Sequence, residues 1–220
     1  MASEEYWKKR PDMIDLIMER RSIRKYTDQL ISDEDIEKIL LAGQHAPNAS
    51  NMQTWKFIAV TNREFNHKLS QIVDTKFREI GNLFEDREVR KSVKMARFYA
   101  AFFKDAPLVV YCVATKYISK SDTFYEMLGD EGSVYRENRI KSNPGLQSVS
   151  AAIENMLLAA WALGIGGVWM TEPIVARQEI EDALEIKDGE LTAIVPFGYS
   201  STPLRKPVRK PLDEVVRYIK

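Results

Sequence analysis

The segment Arg20-Arg21-Ser22-Ile23-Arg24-Lys25-Tyr26 gathers four cations and a hydroxyl within six residues. Planar guanidinium forks match phosphate oxygens bidentately, so these residue types suit capture of a phosphate. Further along, Ala46-Pro47-Asn48-Ala49-Ser50-Asn51-Met52-Gln53-Thr54-Trp55 supplies small residues and carboxamides. A loop of that make-up could reach the polar edge of a planar heterocycle. Together the two segments point to an organic phosphate. Alone, the cation cluster has a plainer reading, a solvated helix end whose charge complements the helix macrodipole.

The remaining composition narrows the chemistry. A chain of 220 residues, 45% hydrophobic and 29% charged, is sized for one globular domain spanning 1–220. Lys+Arg and Asp+Glu balance at 32 each, so no global field favours nucleic acid or an anionic membrane. The bases are uneven, however, concentrating at Arg20–Lys25 and again at Arg205–Lys210. Local patches in a neutral protein suit a small anion. The single Cys112 excludes an internal disulfide framework, and its apolar run Leu108–Ala114 marks it as a buried structural thiol. His45 and His67 are too few for a His-rich metal site, and no zinc-type spacing occurs. No metal is expected. The first residues lack the apolar core of a signal peptide, and no stretch is long and apolar enough to span a bilayer, so the cytoplasm is the expected compartment.

The elements that must position these residues are legible in outline. Asp12 is placed to N-cap a helix through Arg20 with Met13, Ile14, Leu16 and Ile17 as its apolar stripe. Ser32-Asp33-Glu34-Asp35 approximates a capping box for a helix that presents Ile36, Ile39, Leu40 and Gly43 on one face. Trp55–Val60 and Leu108–Ala114 read as strands, with two helices over 63–103 broken near Gly81-Asn82. Thr115–Pro144 reads as an irregular polar and aromatic connection, a candidate lid or a plain surface excursion. Ser148 is placed to cap the most apolar helix of the chain, interrupted mainly by Glu154 and Asn155; such a helix is buried in the core or between subunits. Gly164-Ile165-Gly166-Gly167 closes that helix and feeds a strand, so it is a turn rather than a dinucleotide fingerprint. Pro173 opens a helix through Leu184, Leu191–Tyr199 is the last core strand, and 200–220 forms an extended arm.

Arg-Arg-Ser-x-Arg, then Ala-Pro-(small)-(small)-x-Asn-x-Gln-x-Trp, then the Ala-Ala-Ile-Glu-Asn-x-Leu-Leu-Ala-Ala helix resemble the FMN-dependent nitroreductase family. The Pro-Phe-Gly-Tyr strand and the Arg-Lys-Pro-Leu-x-Glu-Val-Val ending agree, in the family's order. The resemblance implies an α+β fold with a mixed, mostly antiparallel sheet flanked by helices. It also implies a homodimer with a swapped C-terminal arm and FMN in each interface cleft. By the same resemblance Arg20, Arg21, Ser22 and Arg24 hold the phosphate and ribityl chain, joined by the C-terminal pair Arg209 and Lys210. Pro47, Asn48, Ala49, Asn51 and Gln53 belong to a loop reaching the flavin from the partner, and Trp169, Met170 and Thr171 run near its reactive edge. Asn48 and Ala49 stand where the family commonly carries Ser, and Thr54 where it carries Pro.

The activity so implied is NAD(P)H-dependent reduction of nitroaromatic, quinone or other flat acceptors by a ping-pong mechanism. NADH or NADPH is the donor, and no protein residue acts as nucleophile. Phe124 and Tyr125 are the candidate acceptor platform, although they, with Tyr117 and Tyr135, would equally make a small core for their own segment. Two rivals stand: reductive dehalogenation of halogenated phenols, and a flavin carrier or sensor without turnover.

Overall fold

A computed structural model describes residues 11–204 and 207–220. Met1–Arg10, Arg205 and Lys206, the last two part of the second basic cluster, lie outside the described residues. Among the described residues eight α-helices surround a four-stranded sheet ordered β1-β2-β4-β3, from β1 (Trp55–Val60), β2 (Leu108–Ala114), β3 (Gly166–Gly167) and β4 (Glu190–Gly198). Every strand pair is antiparallel. The mixed character expected of the sheet comes from an isolated parallel bridge between Ser22 and Gly167.

Strand β2 is apolar without interruption because both of its faces are covered. Leu108, Val110 and Cys112 enter one core with Val149, Ile153 and Met156 of α7 (Pro144–Ala162) and Ile39 of α2 (Asp33–Gln44). Val109, Tyr111 and Val113 enter the other, with Leu69, Val73 and Phe77 of α3 (Arg63–Asn82) and Ala100 of α4 (Arg87–Ala101). The period-two alternation of a strand therefore divides one run between two cores. Cys112 is fully buried, and burial pushes its thiol pKa up, as a structural cysteine requires. The buried Tyr111 hydroxyl donates to Asn66 Oδ1 at 2.8 Å, and Asn66 Nδ2 donates to Val60 O at 3.1 Å.

Local signals hold at several helix ends. The Ser32 side chain accepts from Asp35 N, as its box predicts. Three expectations are corrected. Helix α1 (Pro11–Glu19) begins before Asp12, so that residue lies in its first turn rather than capping it. Ser148 does not cap α7: the Asn143 side chain does, accepting from Leu146 N, and Ser148 lies inside the helix with its Oγ donating to Pro144 O at 2.7 Å. Pro173 opens a 3-10 turn, Glu172–Ala176, before α8 (Arg177–Ala183).

The irregular connection expected at Thr115–Pro144 is instead a helical hairpin, α5 (Lys120–Met127) and α6 (Asp130–Ser142). Ser119 and Asp122 form a full capping box for α5. Helix α6 is polar nearly all round, so it lacks the apolar periodicity by which helices are found in sequence. Its single buried position is Gly132. Tyr125 and Tyr135 stack across the hairpin with ring centroids 5.9 Å apart, which favours the reading of these rings as the segment's own core.

The glycine string that ends α7 meets two separate steric demands. Gly164 takes a left-handed φ of 76° at the helix end. At Gly166 an added Cβ would lie 2.1 Å from Ile23 Cγ1. Ile23 is β-branched and its backbone N is bonded to Gly167 O, so it has little room to yield. Gly166→Ala is therefore expected to cost about 1–3 kcal/mol in urea denaturation. Gly43→Ala, which meets the flexible Met156 side chain at 2.8 Å, is expected to cost less.

Candidate functional site

The cationic segment leaves α1 and runs extended along the sheet edge. Ile23 N donates to Gly167 O at 3.1 Å, Thr27 N to Tyr199 O at 2.8 Å, and Ser201 N to Lys25 O at 3.1 Å. Extension makes the side chains alternate: Ile23 is buried while Ser22 and Arg24 are exposed. The Tyr26 hydroxyl donates to Ile23 O at 2.7 Å and anchors the far end. Burial pushes the Tyr26 phenol well above its ordinary pKa, and the nearby Arg24 charge pulls the other way, so Tyr26 remains a neutral donor.

This segment walls a cleft of about 1420 Å³ that also takes Arg209 from the C-terminal arm. Arg20, Arg21, Ser22 and Arg24 all face it; Lys210 is not among its lining residues. The cations differ in their commitments. Arg20 Nε lies 3.6 Å from Glu154 of α7. Arg21 Nη1 donates to Met18 O and Arg20 O, both at 2.8 Å, which satisfies carbonyls at the end of α1 as the plainer reading holds. Among the described residues Arg24 and Lys25 have no carboxylate within ion-pair distance. A roomy cleft with cations left over fits a phosphate-bearing cofactor.

The carboxamide loop is built differently. Asn48 Oδ1 accepts from Gln53 N at 2.8 Å, Asn48 Nδ2 donates to Ala46 O at 3.3 Å, and Ala49 N donates to Ser148 Oγ at 3.2 Å. Ser50, Asn51 and Gln53 have φ of 54°, 51° and 48°, a left-handed conformation unusual for three non-glycine residues so close together. None of Pro47–Gln53 lines the cation cleft of the same chain. Gln53 instead faces a separate groove of about 620 Å³ between α2 and β1, with Trp55 and Phe57.

Beside β3, the strand end Trp169–Thr171 adjoins the cationic segment through the Ser22–Gly167 bridge. Met170 N donates to Ile194 O at 3.0 Å, and Ile194 N donates back to Met170 O at 2.9 Å. The Met170 amide is therefore spent within the sheet and is no donor to a cofactor. Among the described residues the amides of Trp169 and Thr171 have no backbone acceptor, as expected where alternate amides point away from the sheet.

A sequence model of the nitroreductase family matches residues 17–199. The chain belongs to the nitroreductase family. An Archaeoglobus fulgidus protein, provisionally named an NADH dehydrogenase/NAD(P)H nitroreductase, is 34% identical over 190 residues, covering 86% of this chain and 83% of its own. A BluB-like flavoprotein of Clostridium difficile 630 superposes with a TM-score of 0.84 at 31% identity, covering 94% of this chain and 99% of that one. A Desulfitobacterium hafniense nitroreductase with bound FMN shares the fold at a TM-score of 0.72 and 20% identity, covering 96% of this chain and 100% of its own.

Within the nitroreductase fold, sequence motifs missed the residues that hold the site. Glu154 and Tyr26 tie down the cationic segment, and the facing wall brings Lys94 together with Arg97 and Lys104, the last two paired with Asp74 and Asp105 of the same cleft. Only amphipathic phase could have flagged that wall, because α4 carries no motif. Trp55 is buried and stacks on Phe57 with centroids 6.2 Å apart, a packing role, whereas Trp169 is partly exposed. Phe124 is exposed on α5.

The hairpin α5–α6 is closed at its base by polar contacts. Asp122 accepts from Ser119 N at 2.7 Å and pairs with Arg139 at 3.2 Å, and these contacts, the Ser119 backbone bond foremost, hold its carboxyl pKa below the ordinary value. A lowered folded-state pKa contributes stability above the usual aspartate range, and that contribution disappears as pH falls through the folded value. Asp122→Ala is expected to cost about 1 kcal/mol near neutrality, with the difference from the parent shrinking in acid, as read by denaturation at stepped pH.

Proposed function

We propose that the chain is an FMN-dependent oxidoreductase that uses NADH or NADPH to reduce flat acceptors such as nitroaromatics or quinones. The observation that carries this reading is the convergence of Arg209 with Arg20, Arg21, Ser22 and Arg24 on one cleft, from opposite ends of the chain. Arg20, Ser22, Arg24 and Arg209 would hold the phosphate, Arg24 with no carboxylate partner among the described residues to displace. The free amides of Trp169 and Thr171 would donate to the flavin edge, orienting the ring over the strand end. When bound, the flavin supplies the hydride and electron chemistry. Donor and acceptor take the same face in turn, in ping-pong order. The hairpin α5–α6 would cover that face, with Phe124 presented to the acceptor.

The active form is proposed to be a homodimer, with Pro47, Asn48, Ala49, Asn51 and Gln53 serving the partner's cofactor. Three features support it. The loop is missing from its own chain's cleft. Met13, Ile14, Ile17 and Met18 of α1 are exposed, although their spacing is that of a buried stripe. Leu204, Val208, Leu212, Val215 and Ile219 of the arm are exposed as well. The open edge of β1 and its apolar groove, lined by Asp33, Glu37 and Lys56, would receive the apolar residues of an arm in which Lys210, Arg217 and Lys220 outnumber Asp213 and Glu214. Among the described residues no helix is long and apolar enough to cross a membrane. The cytoplasm is the compartment proposed.

The purified protein is expected to be yellow, to bleach with NADH or NADPH under anaerobic conditions, and to recover its colour with a quinone. Absence of bleaching would leave only the carrier or sensor reading. The hairpin also suits closure on a halogenated phenol, and halide release would mark reductive dehalogenation instead. Arg24→Ala should weaken FMN about 10- to 100-fold by equilibrium dialysis, the loss of one charge-assisted hydrogen bond. Truncation after Thr202 should shift the protein to monomer in sedimentation and release its flavin. A truncated monomer with stoichiometric FMN would overturn the interface.

A further inference from the structure

Three separate segments meet at Tyr117, in the link between β2 and α5. Arg139 Nη2 of α6 donates to the Tyr117 hydroxyl at 3.0 Å, and the guanidinium carbon lies 5.6 Å from the Tyr117 ring centroid. On the other side Ser50 Oγ, in the carboxamide loop, is 3.3 Å from the same hydroxyl. Arg139 is held in turn by Ser119 Oγ at 3.0 Å and Asp122 Oδ1 at 3.2 Å.

Proton accounting fixes the Arg139 end of this chain. A guanidinium only donates, so Tyr117 must accept from Arg139 and has one proton left to give. Across the 3.3 Å contact with Ser50 Oγ either hydroxyl can donate, since the phenol oxygen keeps a second lone pair. Ser50 sits beside Asn51 and Gln53 in the loop. Its backbone is in the left-handed region, as are those of Asn51 and Gln53, a state that persists only when the surroundings hold it. Asn48 holds the loop from within and Ser148 holds it from α7. Tyr117 ties it to the hairpin.

We propose that Tyr117 is a positioning residue that locks the 48–53 loop to the α5–α6 hairpin, so that closure of the hairpin on an acceptor sets the shape of the loop beside the cofactor and thereby acceptor preference. This rests on the reading of that loop as cofactor-facing. The acceptor class it selects is flat and largely apolar, since α5 and its C-cap expose Phe124, Met127 and Leu128 and the Arg139 charge is paired with Asp122.

Tyr117→Phe keeps the ring over Arg139 and removes a single oxygen. In that variant the amides of 49–53 and 120–142 should exchange hydrogen about 2- to 10-fold faster, the factor one net hydrogen bond carries. Flavin stoichiometry and the rate of reduction by NADH should stay unchanged, while KM rises for bulky quinones more than for small ones. Ser50→Ala should reproduce the loop effect, and the double variant should be no worse than Tyr117→Phe alone, since that variant already removes the Tyr117–Ser50 bond. Exchange confined to one of the two segments, additive effects, or an unaltered order of acceptors would overturn the proposal. The exchange measurement can also be made on flavin-free protein. Its outcome therefore judges the lock even if the protein proves not to be reduced by NADH, a result that would instead count against the oxidoreductase reading.

Discussion

Helix α7 buries Val149, Ile153, Met156 and Ala160 against the sheet and α2, and three of its polar side chains tie it to other segments. Ser148 accepts from the Ala49 amide of the carboxamide loop, Glu154 pairs with Arg20, and Asn155 Nδ2 donates to Ala42 O of α2 at 3.1 Å. Ser148 and Glu154 are separated by about 9 Å along the helix axis at the α-helical rise. The helix thus fixes the spacing between the loop and the cationic segment. Because packed interiors resist small displacements, a site measured off such a helix is more precise than one built on loops alone.

The cationic edge illustrates how a fold holds charge that it does not neutralise. Arg24 and Lys25 would repel one another and their neighbours, yet the extended backbone holds them in register by bonds to Gly167, Tyr199 and Ser201. Tyr26, whose phenol pKa burial raises further above its ordinary value, adds a tie to Ile23 O. Stability is thereby invested in the backbone, and the side chains remain available for an anion. Electrostatic preorganisation of this kind costs little at the moment of binding, since the donors are already placed.

The exposed apolar residues of α1 and the arm are the surface that the proposed homodimer would cover. Val208 is 99% exposed and Met18 67%, values that a stripe of apolar residues would not keep in water at this density. These exposed groups lie on α1, which leads into the cationic segment, and on the arm, whose Arg209 lines the same cleft. The residues that would grip a cofactor phosphate and the surface that would recruit a partner are therefore mechanically continuous, which makes cofactor retention and assembly one problem.

Strands β1 and β2, the break between α3 and α4, the buried thiol of Cys112 and the turn at Gly164 were all determined by sequence alone, because each follows from local periodicity or backbone conformation. The motif order likewise determined the family, which the match over 17–199 bears out. Helix α6 escaped because a helix polar on every side has no periodic signal, and the Ser148 cap was misplaced because Asn143 satisfies the helix end one turn earlier. Only the tertiary structure decided that the Met170 amide is consumed by Ile194, that Arg209 faces the same cleft as Arg24, and that Tyr117 joins the loop to the hairpin. Each of those depends on which groups meet across long stretches of chain, and hydrogen-bond commitment of that kind leaves no trace in local sequence pattern.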